Sequence, residues 1–161
     1  MFNILYVCTG NTCRSPMAVG LLRKILAEEG ITEVEVTSAG IATLDGYPAT
    51  DKAIRVAGKR KGVDISGHHS TKMTETLAHN ADLIFALSHE HFEFIQECGS
   101  VADKLFLVKA FPEAGHADFL HSIKDPIGGT LGDYKRVIDE LEREIKRALP
   151  AIREKITARV T

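Results

Sequence analysis

The apolar run NILYVC at residues 3–8 passes into Thr9-Gly10 and, six residues after Cys8, into Arg14-Ser15-Pro16. A short buried strand joined by one tight loop to a helix start commits this end of the chain to a strand–loop–helix unit. Ser15 reads as the N-cap and Pro16 as the first helical residue. Met17, Ala18, Leu21, Leu22, Ile25 and Leu26 recur at helical spacing, and Gly30 ends the run. The same alternation continues along the chain. Strands are predicted at 34–38, 83–87 and 104–108, with LIFAL at 83–87 the best central candidate. Helices are predicted at 51–61, 73–79 and 89–97, and from Thr130 onward, where Asp133 completes a box-like cap. Pro150 is expected to kink or end that last helix. Residues 40–50 and 125–130 read as loops. Strands alternating with helices argue for an α/β fold, a parallel sheet covered on both faces. Sites in such sheets form at the carboxyl ends of the strands, where residues 8–14 lie.

The 161 residues suit one domain, 1–161, and 44% hydrophobic against 26% charged residues gives a core of ordinary size. A net charge of -2 argues against a broad nucleic-acid-binding face but permits a local anion site. No run approaches the ~18 apolar residues of a membrane span. MFNILYVC lacks the features of a signal peptide. Three cysteines without a secretory signal argue for a reducing, cytoplasmic setting. The seven histidines lack metal-ligand spacing, so no metal and no cofactor are expected. A monomer is expected.

Cys8, Thr9, Gly10, Asn11, Thr12, Cys13 and Arg14 form the loop. Gly10 is expected to allow the backbone turn. Successive main-chain N–H groups then make an anion-binding nest, and the helix that follows adds its own unpaired N–H groups and positive dipole end. Arg14 supplies a planar fork of donors that matches two phosphate oxygens. Cys8 would lie at the floor of this cradle. A free cysteine has a pKa of about 8.5, which falls to roughly 3.5–7.5 at helix N-termini or beside Arg. A thiolate facing a bound phosphoryl group is a placed nucleophile, and attack gives a cysteinyl-phosphate. Ser15 would bond the sulfur and Asn11 would brace the loop. Singly, each residue has a plainer reading: Cys8 as core, Arg14 as a surface partner, Asn11 as a turn residue, Ser15 as a cap. The full C-x5-R-S pattern between a strand and a helix start favours the chemical one.

CTGNTCRSPMA resembles the signature of the low-molecular-weight protein tyrosine phosphatases, and the resemblance runs from this loop to Asp125-Pro126. It implies a three-layer sandwich, a four-stranded parallel sheet with helices on both faces, acting on phosphorylated proteins. It implies Asp125 as general acid, donating to the leaving group and then taking a proton from water. Ser38 in TSAG and His68 in GHHST fall where the family braces the loop, although a plain surface role for His68 stays open. Members that act on phosphotyrosine carry aromatic residues after the DP pair, whereas Ile127 follows here and Tyr47 is the sole aromatic of the facing loop. Thr12 resembles the bacterial branch that removes phosphate from arginine, so phosphoarginine is the expected substrate and phosphotyrosine the alternative. The family also pairs the two loop cysteines, which makes a reversible Cys8–Cys13 disulfide an expectation, against Cys13 merely packing. An arsenate reductase is a weaker alternative, because only Cys98 lies outside the loop.

Overall fold

The protein is described from a computed structural model covering residues 1–113 and 119–160. Four parallel strands, β1 (Phe2–Cys8), β2 (Val34–Gly40), β3 (Leu83–Ala86) and β4 (Leu105–Leu107), form one sheet in the order β2-β1-β3-β4. Five α-helices connect and cover them: α1 (Arg14–Glu28), α2 (Asp51–Lys61), α3 (Glu75–Asn80), α4 (His89–Gln96) and α5 (Leu131–Val160). A 3-10 turn occupies Phe119–His121.

β1 is apolar throughout because both of its faces are covered. Ile4, Tyr6 and Cys8 pack into one core cluster with α1, α2 and α5, while Leu5 and Val7 pack into a second with α3 and α4. β2 lies at the sheet edge, and Glu35 and Thr37 are accordingly exposed on either side of buried Val36. β1 and β2 run in register from Phe2↔Val34 to Cys8↔Gly40, so the two strands deliver Cys8 and Gly40 to the same carboxyl edge.

Two expectations about helix ends are corrected. Cys13, not Ser15, is the N-cap of α1; the helix starts two residues earlier than a Ser-Pro cap implies, and the Ser15 hydroxyl is turned inward to other partners. α5 does not break at Pro150 but runs on to Val160. Interior proline costs a helix ~3 kcal/mol. Beyond it Ile152 is fully buried and Ile156 nearly so, and burial of one such side chain stabilises by ~1.5–3 kcal/mol. The two together outweigh the proline. Thr130 and Asp133 do cap α5 reciprocally, with Thr130 N donating to Asp133 Oδ2 at 2.8 Å and Asp133 N to Thr130 Oγ1 at 3.3 Å.

Candidate active site

The end of β1 and the start of α1 hold Cys8 and Arg14 against each other in the interior, 2% and 4% exposed. The turn between them is made by Asn11, not by Gly10. Asn11 takes the left-handed conformation at φ 55°, while Gly10 stays outside that region. Asparagine tolerates this backbone because its short amide bonds locally. Here Asn11 is fully buried, and its Nδ2 donates to Ser15 Oγ at 2.7 Å and to Ser38 Oγ at 2.9 Å. Its Oδ1 accepts from Thr71 N at 2.8 Å, and its carbonyl lies 2.6 Å from His68 Nε2. A carbonyl only accepts, so His68 carries its proton on Nε2. Burial pushes the His68 pKa down, which keeps the ring neutral in that role.

Gly40 is the close-approach point. A Cβ there would stand 2.6 Å from the Thr9 carbonyl oxygen and 3.0 Å from Asn11 Cβ. The Gly40-to-Ala42 segment also donates Ile41 N to Cys8 O at 2.9 Å and Ala42 N to Thr9 O at 3.0 Å.

Donors converge on the sulfur. Ser15 Oγ is 2.9 Å from Cys8 Sγ, and Asn11 N donates to it at 3.3 Å. Ser15 already accepts from Asn11 Nδ2, which leaves its own hydrogen for the sulfur. The expected lowering of the thiol pKa is corrected. Burial is the largest influence and pushes the Cys8 thiol up, while the Ser15 hydroxyl, the Arg14 charge and the N–H groups of Ser15 and Asn11 pull it down without cancelling burial. The donors were legible in the sequence; the loss of water around the sulfur was not.

Arg14 Nη1 donates to the Ile123 carbonyl at 3.0 Å and Nη2 to Thr9 Oγ1 at 3.3 Å. Asp125 Oδ2 lies 3.3 Å from Arg14 Nη2, so the loop at 125–129 brings its carboxylate to the guanidinium. That loop is a turn: Gly129 N donates to Pro126 O at 2.9 Å, and Gly128 has φ 75°. Ile127 N donates to Asp125 Oδ1 at 3.0 Å, fixing the side chain. Asp125 is 41% exposed, open to solvent on one side and to Arg14 on the other.

All three cysteines are free thiols. Cys13 Sγ faces the hydroxyls of Tyr134 at 3.4 Å and Thr50 at 3.5 Å, so pairing with Cys8 requires it to leave both. Thr12 is half-buried, and its carbonyl accepts from Thr50 N at 2.9 Å, which ties this corner of the loop to the start of α2. Cys98 belongs to the core cluster on the opposite face of the sheet from Cys8. Among the described residues no group of three or more His, Cys, Asp or Glu side chains could hold a metal ion, and no helix is long and apolar enough to cross a membrane.

Gly40, Thr71, Ile123, Ser88 and His91 also support this edge, and the sequence reading passed over them. Ile123 and Thr71 act through main-chain atoms, which no side-chain motif signals. Gly40 was visible as the last residue of TSAG, directly across from Cys8 once the strands pair.

A thiol and a buried guanidinium at one strand-to-helix loop of a parallel sheet, met by a carboxylate from a second loop, define a cysteine-dependent phosphatase. Comparison with known proteins agrees. The family model for low molecular weight phosphotyrosine protein phosphatase matches residues 3–158. The chain belongs to that family. It is 38% identical over 146 residues to a protein-arginine-phosphatase of Bacillus subtilis, covering 90% of this chain and 93% of the relative. It is 35% identical over 155 residues to the probable low molecular weight protein-tyrosine-phosphatase EpsP of Ralstonia nicotianae, covering 93% and 95%. A crystal structure of a YwlE mutant from Bacillus subtilis superposes with a TM-score of 0.83 at 34% identity, covering 95% of this chain and 99% of that one.

Proposed function

We propose that this chain is a protein arginine phosphatase, hydrolysing phosphoarginine in proteins through a cysteinyl-phosphate. The observation that carries the chemistry is the meeting of Cys8, Arg14 and Asp125 at one edge of the sheet. Arg14 and the loop N–H groups hold the phosphoryl oxygens. Cys8 sulfur, as thiolate, attacks phosphorus. The P–N bond breaks, its electron pair goes to the guanidino nitrogen, and Asp125 protonates that nitrogen. Protonation matters because an arginine side chain has a pKa of about 12.5–13.8 and leaves poorly without it. Water then attacks phosphorus, Asp125 takes its proton, and the P–S pair returns to sulfur under the hydrogen bond from Ser15.

The substrate choice rests on Thr12 and on the likeness to the Bacillus subtilis protein-arginine-phosphatase. A β-branched hydroxyl side chain narrows the loop and offers a polar edge to a planar guanidinium. The phosphotyrosine alternative needs aromatic walls for a phenyl ring, and of the exposed pair Tyr47 and Ile127 only Tyr47 is aromatic. The discriminating experiment compares hydrolysis of phosphoarginine and phosphotyrosine peptides by wild type and Thr12→Ile. Preference of the wild type for phosphoarginine, moving toward phosphotyrosine in the variant, supports the reading; a wild type that prefers phosphotyrosine overturns it. We propose further that residues 1–161 act as one domain and as a monomer, for which light scattering is the test. The three free thiols favour a cytoplasmic setting.

A further inference from the structure

His91 is fully buried, sits in the first turn of α4, and has no place in the chemistry above. Its Nε2 is 2.8 Å from Thr9 Oγ1, and that oxygen accepts from Arg14 Nη2 at 3.3 Å. Its Nδ1 is 2.9 Å from Ser88 Oγ, and Ser88 is itself 5% exposed. Ser88 Oγ in turn donates to the exposed carboxylate of Glu90 at 3.2 Å.

Counting protons gives this line one direction. Ser88 spends its hydrogen on Glu90, so it accepts from His91 Nδ1–H. A neutral ring then has Nε2 as acceptor, and the Thr9 hydroxyl donates to it. The Thr9 proton is thereby turned away from the guanidinium, and an oxygen lone pair faces Arg14 Nη2. Each donor between Arg14 and Glu90 has one acceptor. Burial and the Arg14 charge lower the His91 pKa to about 3, which keeps the ring in the neutral form that this line requires.

We propose that His91 is a positioning residue for phosphate recognition: it locks the Thr9 hydroxyl, and through Thr9 it holds the Arg14 guanidinium in the plane that receives an oxyanion. A buried imidazole beside a cation is costly, and an apolar residue would fill the same volume at less cost. Its polar atoms are spent on the contact that orients Arg14. Two other groups hold that side chain: Asp125 Oδ2 reaches Nη2 at 3.3 Å from an exposed loop, and the Ile123 carbonyl holds Nη1 from main chain alone, Ile123 N donating to Leu87 O at 2.7 Å. Arginine is rich in rotamers, and ordering it before the ligand arrives removes that entropy cost from binding.

The inference rests on the reading that the 8–14 loop holds phosphate, and its test separates the two. Inorganic phosphate is titrated as a competitive inhibitor of phosphoarginine peptide hydrolysis, and directly by calorimetry, with full-length wild type, His91→Leu, His91→Gln, Thr9→Val, and Thr9→Val combined with His91→Leu. Thermal unfolding is recorded for each. Removing the line is expected to weaken phosphate about tenfold, the equivalent of ~1.4 kcal/mol. Gln offers an oxygen near the Nε2 position and is expected to restore most of the affinity. The double variant is expected to lose no more than either single one, because both break the same line. If His91→Leu does not fold, Thr9→Val and His91→Gln carry the comparison. His91→Leu or Thr9→Val with wild-type phosphate affinity, or losses that add in the double variant, overturn the inference and leave the phosphatase reading intact. A wild type that binds no phosphate overturns both.

Discussion

Replacing Ser15 by Ala removes one hydroxyl and leaves the fold of the loop otherwise anchored, since Asn11 still bonds Ser38, Thr71 and His68. Among the influences that lower the Cys8 pKa, the Ser15 side chain is the largest. A hydrogen bond to a charged group contributes ~1.5–3 kcal/mol. Its loss raises the Cys8 pKa, at a factor of ten in the thiolate population for each ~1.4 kcal/mol. The thiolate fraction on the acid side of the titration then falls by about ten- to a hundredfold. The assay is alkylation of Cys8 by iodoacetamide as a function of pH, followed by mass spectrometry of the peptide that carries it. Cys13 shares the peptide MFNILYVCTGNTCR with Cys8 and is told apart by its fragment ions, while Cys98 is scored on its own peptide. The alkylation midpoint should move upward in Ser15→Ala, and Ser15→Thr, which keeps the hydroxyl, should fall between. A Ser15→Ala midpoint that stays in place or moves down, with circular dichroism unchanged, would refute the claim that this hydroxyl pulls the Cys8 pKa down against burial.

Asp125→Asn should lower kcat by about 10²- to 10⁴-fold on phosphoarginine peptide, the range for losing a general acid, and by less on p-nitrophenyl phosphate, whose leaving group needs little proton assistance. Steady-state kinetics on both substrates checks it. Gly40→Ala forces a methyl against the Thr9 carbonyl, which is main chain and cannot swing aside. A loss of ~1–3 kcal/mol in urea unfolding, together with reduced turnover, is expected. Asp139 on α5 pairs with Arg60 and Lys61 of α2, and the Arg60 bond holds its carboxyl below the usual carboxylate range. A carboxyl with a depressed folded-state pKa stabilises above its unfolded value of ~3.9 and loses that contribution as pH falls through the folded one. Asp139 is 35% exposed, so solvent screening limits the gain to ~1 kcal/mol. Asp139→Asn should be less stable by about that amount at pH 7 and should converge on wild type in strong acid, as read by urea unfolding at both pH values.

The strand–loop–helix unit was legible because three local signals coincide: an apolar run, a break and a helical period. Asn11 was chosen as the brace from its residue type. That it also supplies the left-handed turn follows from four bonds to residues 15, 38, 68 and 71, which only the folded chain brings together. Ser15 misled as a cap for the same reason: its hydroxyl found a better partner in the sulfur of Cys8, seven residues back along the chain. Pro150 misled because local propensity carries no information about the burial of Ile152 and Ile156. His91 left no trace in the sequence, since its link to Thr9 spans 82 positions and arises from the pairing of β1 with β3, whose end leads directly into α4.

The central claim is that the phosphoryl group passes through the sulfur of Cys8. Enzyme quenched during turnover of a phosphoarginine peptide, digested and sequenced by mass spectrometry, should carry a phosphoryl adduct on Cys8. Full turnover with the adduct on any other side chain would contradict it.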